Sequence, residues 1–367
     1  MGEIQKLEEA HIPEVAALEL KVFHHRRAES VPALEGYFAE IFLRNPWRDC
    51  GLTSFVYLHR GKVAGFIGLL PRVMEFNGRK ILVGVGSQLM VDRDEHPGMA
   101  GLALVKRFFD GPQDLSYTDG GTEAACTVWT AAGAKVARLY ALEWLRVLRP
   151  ARYLQGQLRQ HRKGGVRAIA RGILPGCWLA DAALAKLPVN QLSPPATESI
   201  REPAGAEELL QCIQGIGWRD SLRPSYDLAS LQWLLREAAA ARSRGVLRAV
   251  VVREPAGARI GWFVYYAKAG GVSVALQIGA APHRMDKVLL ALWRDAWEQG
   301  SVGVRGQAIP RHLLDFSLRH CSFQYRGNGV LLHGRDPQLV ACVLQGEAAL
   351  TRLDGEWWAR FADTDWR

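Results

Sequence analysis

Residues 84–109 read GVGSQLMVDRDEHPGMAGLALVKRFF. The apolar run at 85–91 has the density of a core strand. It enters a polar turn that reaches Pro97, Gly98, Ala100 and Gly101, and a helical pattern begins at once. Strand, small-residue loop, helix N-terminus is an order that can hold phosphate without side-chain charge. The first N–H groups of a helix have no internal acceptor and sit at the positive end of its dipole. Gly and Ala let an anion come close to the backbone. An ordinary strand–turn–helix connection uses the same residue types, so the loop alone leaves both readings open.

The flanks place this stretch in a larger pattern. Residues 8–23 carry apolar side chains at Ile12, Val15, Leu18, Leu20 and Val22, close to a helical period. A second helix is expected over 33–43, ending at Asn45-Pro46, because Pro disfavours helix in the residue before it. Strands are expected at 55–59, 63–70 and 81–91, with Arg60-Gly61-Lys62 and Asn77-Gly78 as hairpin turns. After the helix come a short strand at 115–118, a small-residue helix at 121–132 and a strand at 136–142. The same order recurs from Leu209, where RGKVAGFIG at 60–68 has its counterpart in AGARIGWFVYY at 256–266. The expectation is an α/β (α+β) chain of two similar units, each a mixed, mostly antiparallel sheet flanked by helices.

Composition narrows the class. The chain has 367 residues, 49% hydrophobic and 23% charged, a globular balance with room for two domains. Six cysteines lie scattered without metal-ligand spacing, so neither a zinc site nor a disulfide framework is expected. Free thiols, a charged N-terminus and no apolar run of bilayer length suggest a cytoplasmic protein. A net charge of +9 favours anionic partners without choosing among nucleotides, nucleic acid and acidic lipid. Residues 144–180 hold no acidic side chain but include Arg146, Arg149, Arg152, Arg159, Arg162, Lys163, Arg167 and Arg171. This is either a solvated bridging segment or a surface for an anionic partner such as RNA. A hinge is expected at 188–203, where PVNQLSPPATESIREP is rich in turn residues.

The strand–loop–helix at 85–109, the hairpin before it and the strand–helix–Gly–strand after it resemble the GCN5-related N-acetyltransferase (GNAT) core. That resemblance implies an enzyme, an N-acyltransferase. Acyl-CoA, most simply acetyl-CoA, would lie beside a splayed central strand, with its diphosphate on the loop that opens the next helix. No metal is implied. Carried over by position, Leu89, Met90, Val91, Pro97, Gly98, Met99, Ala100, Gly101 and Leu102 would form the acyl-CoA site. The family's loop motif fits at Gly98-Met99-Ala100, but Glu95 stands where Gln or Arg is usual. In a second motif Ala125 and Gly133 fit, while Thr122 replaces Asn and Trp129 replaces the Tyr that commonly protonates the departing thiolate. The second half lacks the glycines, having AAPHRMD at 280–286, and resembles a degenerate copy in which His283 and Arg284 could still meet a phosphate. The implied division is 1–150 for the acyl-CoA unit, 151–200 for a basic helical linker and 201–367 for the second unit.

Moving an acyl group from a thioester to an amine needs a base for the amine, donors for the carbonyl and an acid for the thiolate. Candidate bases near the strand ends are Asp119, Glu123 and Asp92. Asp119-Gly120-Gly121 reads equally as a helix entry with an N-cap. Tyr117 and Tyr140, on expected core strands, could replace the missing acid or simply pack. His24-His25 reads as a solvated face, because neighbours in sequence do not face each other on a helix. The Trp-rich tail, 355–366, is expected to dock on the second unit, or to form an aromatic lip there. The acceptor would be a primary amine of a small molecule, an amino sugar or an amino acid lying between the halves. Two alternatives are a Fem-like transferase using aminoacyl-tRNA, drawn by the basic segment, and a non-catalytic binding module of the same fold.

Overall fold

Two sheets organise the chain, and their strands are interleaved in sequence. The structure is a computed structural model that describes residues 2–23, 31–92, 94, 99–159, 173–185, 194, 197–325 and 329–359. It divides into two units. One comprises Met1–Ala141, Arg219–Ala238 and Arg326–Arg367; the other comprises Leu142–Trp218 and Ala239–Tyr325. The contiguous halves expected at 1–150 and 201–367 are therefore replaced by units that each draw on distant segments.

The first unit is built on β1 (Glu3–Lys6), β2 (Phe55–His59), β3 (Lys62–Phe76), β4 (Arg79–Val91), β5 (Leu115–Thr118) and β6 (Lys135–Ala137). A strand from the far end of the chain, β15 (Val330–Gly334), enters between β5 and β6, giving the order β1-β2-β3-β4-β5-β15-β6, with β9 (Leu222–Pro224) paired to β3. The expected hairpin turns form, with Arg60 and Asn77 in the left-handed region before Gly61 and Gly78. β4 and β5 are parallel and joined through α3 (Ala100–Phe109). That helix buries Leu104, Val105, Phe108 and Phe109 while Lys106 and Arg107 face out. Each such apolar side chain contributes about 1.5–3 kcal/mol by leaving water. On the other face lie α1 (Ile12–Phe23) and α2 (Val31–Phe42), where Phe38 and Phe42 pack against Phe66.

The strand expected at 136–142 is two strands separated by a 3-10 turn, Arg138–Ala141. Its second part, β7 (Leu142–Val147), leaves for the other sheet. That sheet has the order β14-β7-β13-β12-β11-β10-β8, with β8 (Ile200–Pro203), β10 (Val246–Arg253), β11 (Arg259–Ala267), β12 (Val272–Ala280), β13 (Gly303–Gln307) and β14 (Ser322–Tyr325). Here β12 and β13 form the parallel pair, and the helix Met285–Glu298 connects them. The expected recurrence holds at the level of topology: an antiparallel meander, a helix, then a parallel strand, in both sheets. No helix among the described residues is long and apolar enough to cross a membrane.

Candidate functional site

In the first unit β4 and β5 part company. Their pairing runs Val83–Leu115, Gly84–Ser116 and Val85–Tyr117 and then stops, while β4 continues to Val91 alongside β3. The cause is local. Phe66 pairs with Met90 and Gly68 with Ser87, so an extra residue of β4 is accommodated there, and Gln88 takes a left-handed φ of 50°. A bulge of this kind bends its strand away from the neighbour. No strand among the described residues pairs with Leu89, Met90 and Val91 on the β5 side. Leu89 and Val91 are half-buried and Met90 is buried against the α2 face beside Phe66. Gln88 Nε2 donates to the Tyr37 hydroxyl at 3.0 Å.

The helix that follows opens without a side-chain cap and without an acidic residue in its first turn. Its first backbone bond is from Ala103 N to Met99 O, so the amides of Ala100, Gly101 and Leu102 precede the ladder. Met99 is exposed, Ala100 and Gly101 are buried and Leu102 is half-buried. Glu95, Pro97 and Gly98 lie outside the described residues.

Trp129 and Thr122, the two departures in the second motif, have structural roles. Thr122 is the N-cap of α4 (Glu123–Ala131), its side chain accepting from Ala125 N at 3.2 Å. Trp129 is buried against Phe108 and Phe109, and a Cβ at Gly86 would lie 2.5 Å from its ring. The indole thus lies over β4 where β5 has departed. Glu123 is exposed on the first turn of α4, where its charge suits the helix dipole.

Asp119 does not cap that helix. Its Oδ1 accepts from the amide of Glu356 at 2.7 Å. Glu356 in turn takes a short hydrogen bond from Thr118 Oγ1, and Asp354 is bonded by Tyr226 and Thr351, each at 2.5 Å. The described part of the tail therefore docks on the first unit rather than the second, with Trp358 buried against Trp233. Residues 360–367, including Asp363, Asp365 and Trp366, lie outside the described residues. Tyr117, beside Asp119, is buried; burial, then Asp119 and Asp354, push its hydroxyl well above the usual tyrosine value. Tyr140 lies on the 3-10 turn, not a strand, and its hydroxyl clamps Ala348, donating to its carbonyl at 2.7 Å and accepting from its amide at 3.2 Å. Asp92 is held by Lys21 at 2.8 Å. Burial raises this carboxyl, but the bonds from Lys21 and from the Asp94 amide outweigh it and leave it below the usual value.

Of the four cationic residues of this segment that are described, three are turned inward. Arg146, Arg149 and Arg152 are buried, stacked over Trp293, Trp297 and Trp178 at 5.3, 3.8 and 3.9 Å. Arg149 donates to the Trp297 carbonyl at 2.8 Å, and burial, with Arg152 nearby, pushes it down to about 10. Arg152 pairs with Asp181 at 2.9 Å. These three hold the second unit together instead of facing RNA or another anionic partner. Arg159 is exposed; Arg162, Lys163, Arg167 and Arg171, like His24 and His25, lie outside the described residues.

The second sheet repeats the splay, since β12–β13 pairing ends at Ala275–Gly306 while β12 runs on to Ala280. There both strand ends are covered by indoles. Trp262 lies across Gly279 and Trp144 across Gly306, with Trp144 stacked on Phe316. Arg284 is engaged by Glu254 at 3.2 Å, and Asp286 occupies the first turn of the following helix. An anion is less welcome there than at α3.

No family model and no curated protein sequence matches the chain. Solved structures do. A conserved Enterococcus faecalis V583 protein described as a probable N-acyltransferase aligns over 91% of this chain and 73% of its own, with TM-score 0.59 and 9% identity. A GCN5-related N-acetyltransferase from Anabaena variabilis aligns over 92% and 73%, with TM-score 0.57 and 13% identity. Saccharomyces cerevisiae N-myristoyltransferase, solved with bound myristoyl-CoA and inhibitors, aligns over 90% and 80%, with TM-score 0.52 and 10% identity. At these identities the likeness is one of fold: the chain has a tandem GNAT-like fold.

Proposed function

We propose that this chain, folded as GCN5-related N-acetyltransferases are, is an acyltransferase that moves an acyl group from acyl-CoA to a primary amine in its first unit. The observation that carries the reading is the bulged, unpaired end of β4 beside an uncapped, acid-free helix start. The first offers a backbone edge for an extended, amide-bearing chain. The second offers amides and a dipole for a diphosphate. The solved relatives include one with myristoyl-CoA bound, which agrees with this reading. Acyl-CoA would supply the activated thioester and the thiolate leaving group.

The chain's own groups then have these roles. Amides among Leu89, Met90 and Val91 face the thioester carbonyl. Asp119 takes the amine proton as the C–N bond forms. Tyr117, kept protonated by its surroundings, donates to the sulfur as the C–S bond breaks. Leu102, Gly101 and Ala100, with Pro97 and Gly98 ahead of them, hold the diphosphate.

The test combines two assays. Coenzyme A should raise the melting temperature of the wild type by mass action. Asp119→Asn should keep that rise and lose about 10²–10⁴-fold in thiol release with an accepted amine. No stabilisation by any CoA species would end the reading.

A further inference from the structure

One face of the first sheet carries a set of buried polar atoms without partners. Register puts Gly68, Leu70 and Arg72 of β3, Val83, Val85 and Ser87 of β4 and Tyr117 of β5 on the same side, the side of α2. Arg72 is buried. Its Nε donates to the Asp354 carbonyl at 2.9 Å, its Nη1 donates to the Pro71 carbonyl at 2.8 Å, and it stacks on Trp47 at 4.8 Å, but Nη2 has no hydrogen-bond partner. The hydroxyls of Tyr117 and Ser87, both buried, have none either. A buried polar group left unpaired costs about 1–3 kcal/mol. All three groups, the guanidinium, the phenol and the serine hydroxyl, carry a donor that lacks an acceptor.

The charges around them are mixed, and Arg72 itself feels the fields of Asp354 and Asp119. Tyr117 feels Asp119, Asp354 and Glu356 with one sign and Arg72 with the other. The carboxylates are engaged within the protein: Asp354 by Tyr226 and Thr351, Glu356 by Thr118, Asp119 by the Glu356 amide. Arg72 binds only carbonyl oxygens. Beside these engaged carboxylates the guanidinium and the phenol each still hold a donor with no acceptor. The opposite side of the β4–β5 gap, lined by Trp129, Leu89 and Val91, is apolar and suits an acyl chain or a pantetheine arm.

We propose that the acceptor is an amino acid, or another molecule with a carboxylate near its primary amine. Its ammonium end lies toward Asp119 and its carboxylate on Arg72 Nη2, which leaves the Tyr117 proton for the departing sulfur. This rests on the acyltransferase reading for the reaction but not for the binding. A zwitterion offers Asp119 an ammonium and the unfilled donor a carboxylate, whereas a simple amine leaves the guanidinium unfilled and a simple acid meets the carboxylates.

The experiment compares the common L-amino acids with the corresponding amino-acid amides, which keep the amine and lose the negative charge. Two readouts are used: thiol release from acetyl-CoA, and calorimetric binding without CoA. For the acids that bind or turn over, the advantage over the amide should be about tenfold or more, since a site with a buried unfilled donor discriminates strongly against the ligand that cannot fill it. Arg72→Met should erase that advantage while stabilisation by CoA persists. Should that variant fail to fold, the acid–amide comparison in the wild type decides alone. CoA stabilisation with amides equal to or better than acids would overturn the proposal and leave the acyltransferase reading intact. Absence of CoA stabilisation would overturn the latter, and calorimetry would still decide whether an acid is preferred. Failure of every acid to bind or turn over would mean that the donors hold water only.

Discussion

Asp119 Oδ1 and the amide of Glu356 are joined by a 2.7 Å hydrogen bond across 237 residues of sequence. A Cβ on Gly355 would lie 2.0 Å from Asp119 Oδ2. The tail segment therefore sets where this carboxylate stands. Gly355→Ala should displace it and lower thiol release about 10–100-fold, because a shift near 1 Å at a reacting group has that effect. Glu356→Gln keeps the backbone donor and should leave Asp119 in place. A pH–rate profile separates the cases: in Gly355→Ala the basic-residue limb should move, in Glu356→Gln it should stay.

Met99 is exposed at the N-cap of α3, with no side-chain cap. Met99→Asp should have opposite effects on stability and binding. Asp complements the dipole, so stability in urea should rise by about 0.3–1 kcal/mol. The same charge beside a diphosphate should weaken CoA binding about tenfold or more, and less so at high salt. A helix start with no ligand role would show the first effect alone.

Gly86 and Trp129 are coupled by contact. Gly86→Ala overpacks the indole and should cost about 1–3 kcal/mol in chemical denaturation. In combination with Trp129→Phe the cost should be less than the sum of the two, because the smaller ring vacates the space. Strict additivity would show that the ring does not lie there.

His333 stacks on Phe109 with ring centroids 4.2 Å apart. Burial, then the charge of Arg335, hold its imidazole below the usual histidine value. The folded state thus binds this proton less readily than the unfolded state. Stability is full above the unfolded value of about 6.5 and is lost as pH falls through the lower folded value. Denaturation midpoints from pH 8 to 5 should decline in the wild type. His333→Phe, which keeps the stack, should decline less.

What the sequence made legible follows from locality. Hairpin turns at Gly61 and Asn77-Gly78, the α3 stripe and the strand that precedes it were readable because each is decided within a few residues. The topology common to both sheets was readable from its repeat. The exchange of β7 and β15 between units was not, since a short apolar run does not say which sheet receives it. For the same reason the tail was expected on the wrong unit, and Glu356, Asp354 and Tyr226 were missed beside Asp119. Arg72 was missed because nothing in RVMEF at 72–76 distinguishes a buried guanidinium from an outward one. Charge alone misled at Arg146, Arg149 and Arg152. Tryptophan is what buries them, and Trp293 and Trp297 lie far along the chain.

The central claim is that an acyl-CoA occupies the gap between β4 and β5, and amide hydrogen exchange with and without coenzyme A addresses it most directly. The account predicts slowed exchange at Leu89, Met90 and Val91 and at Ala100, Gly101 and Leu102, with the corresponding segments of the second unit, around 276–280 and 285–287, unchanged. Coenzyme A that binds while protecting only other segments, or that protects none, would contradict it.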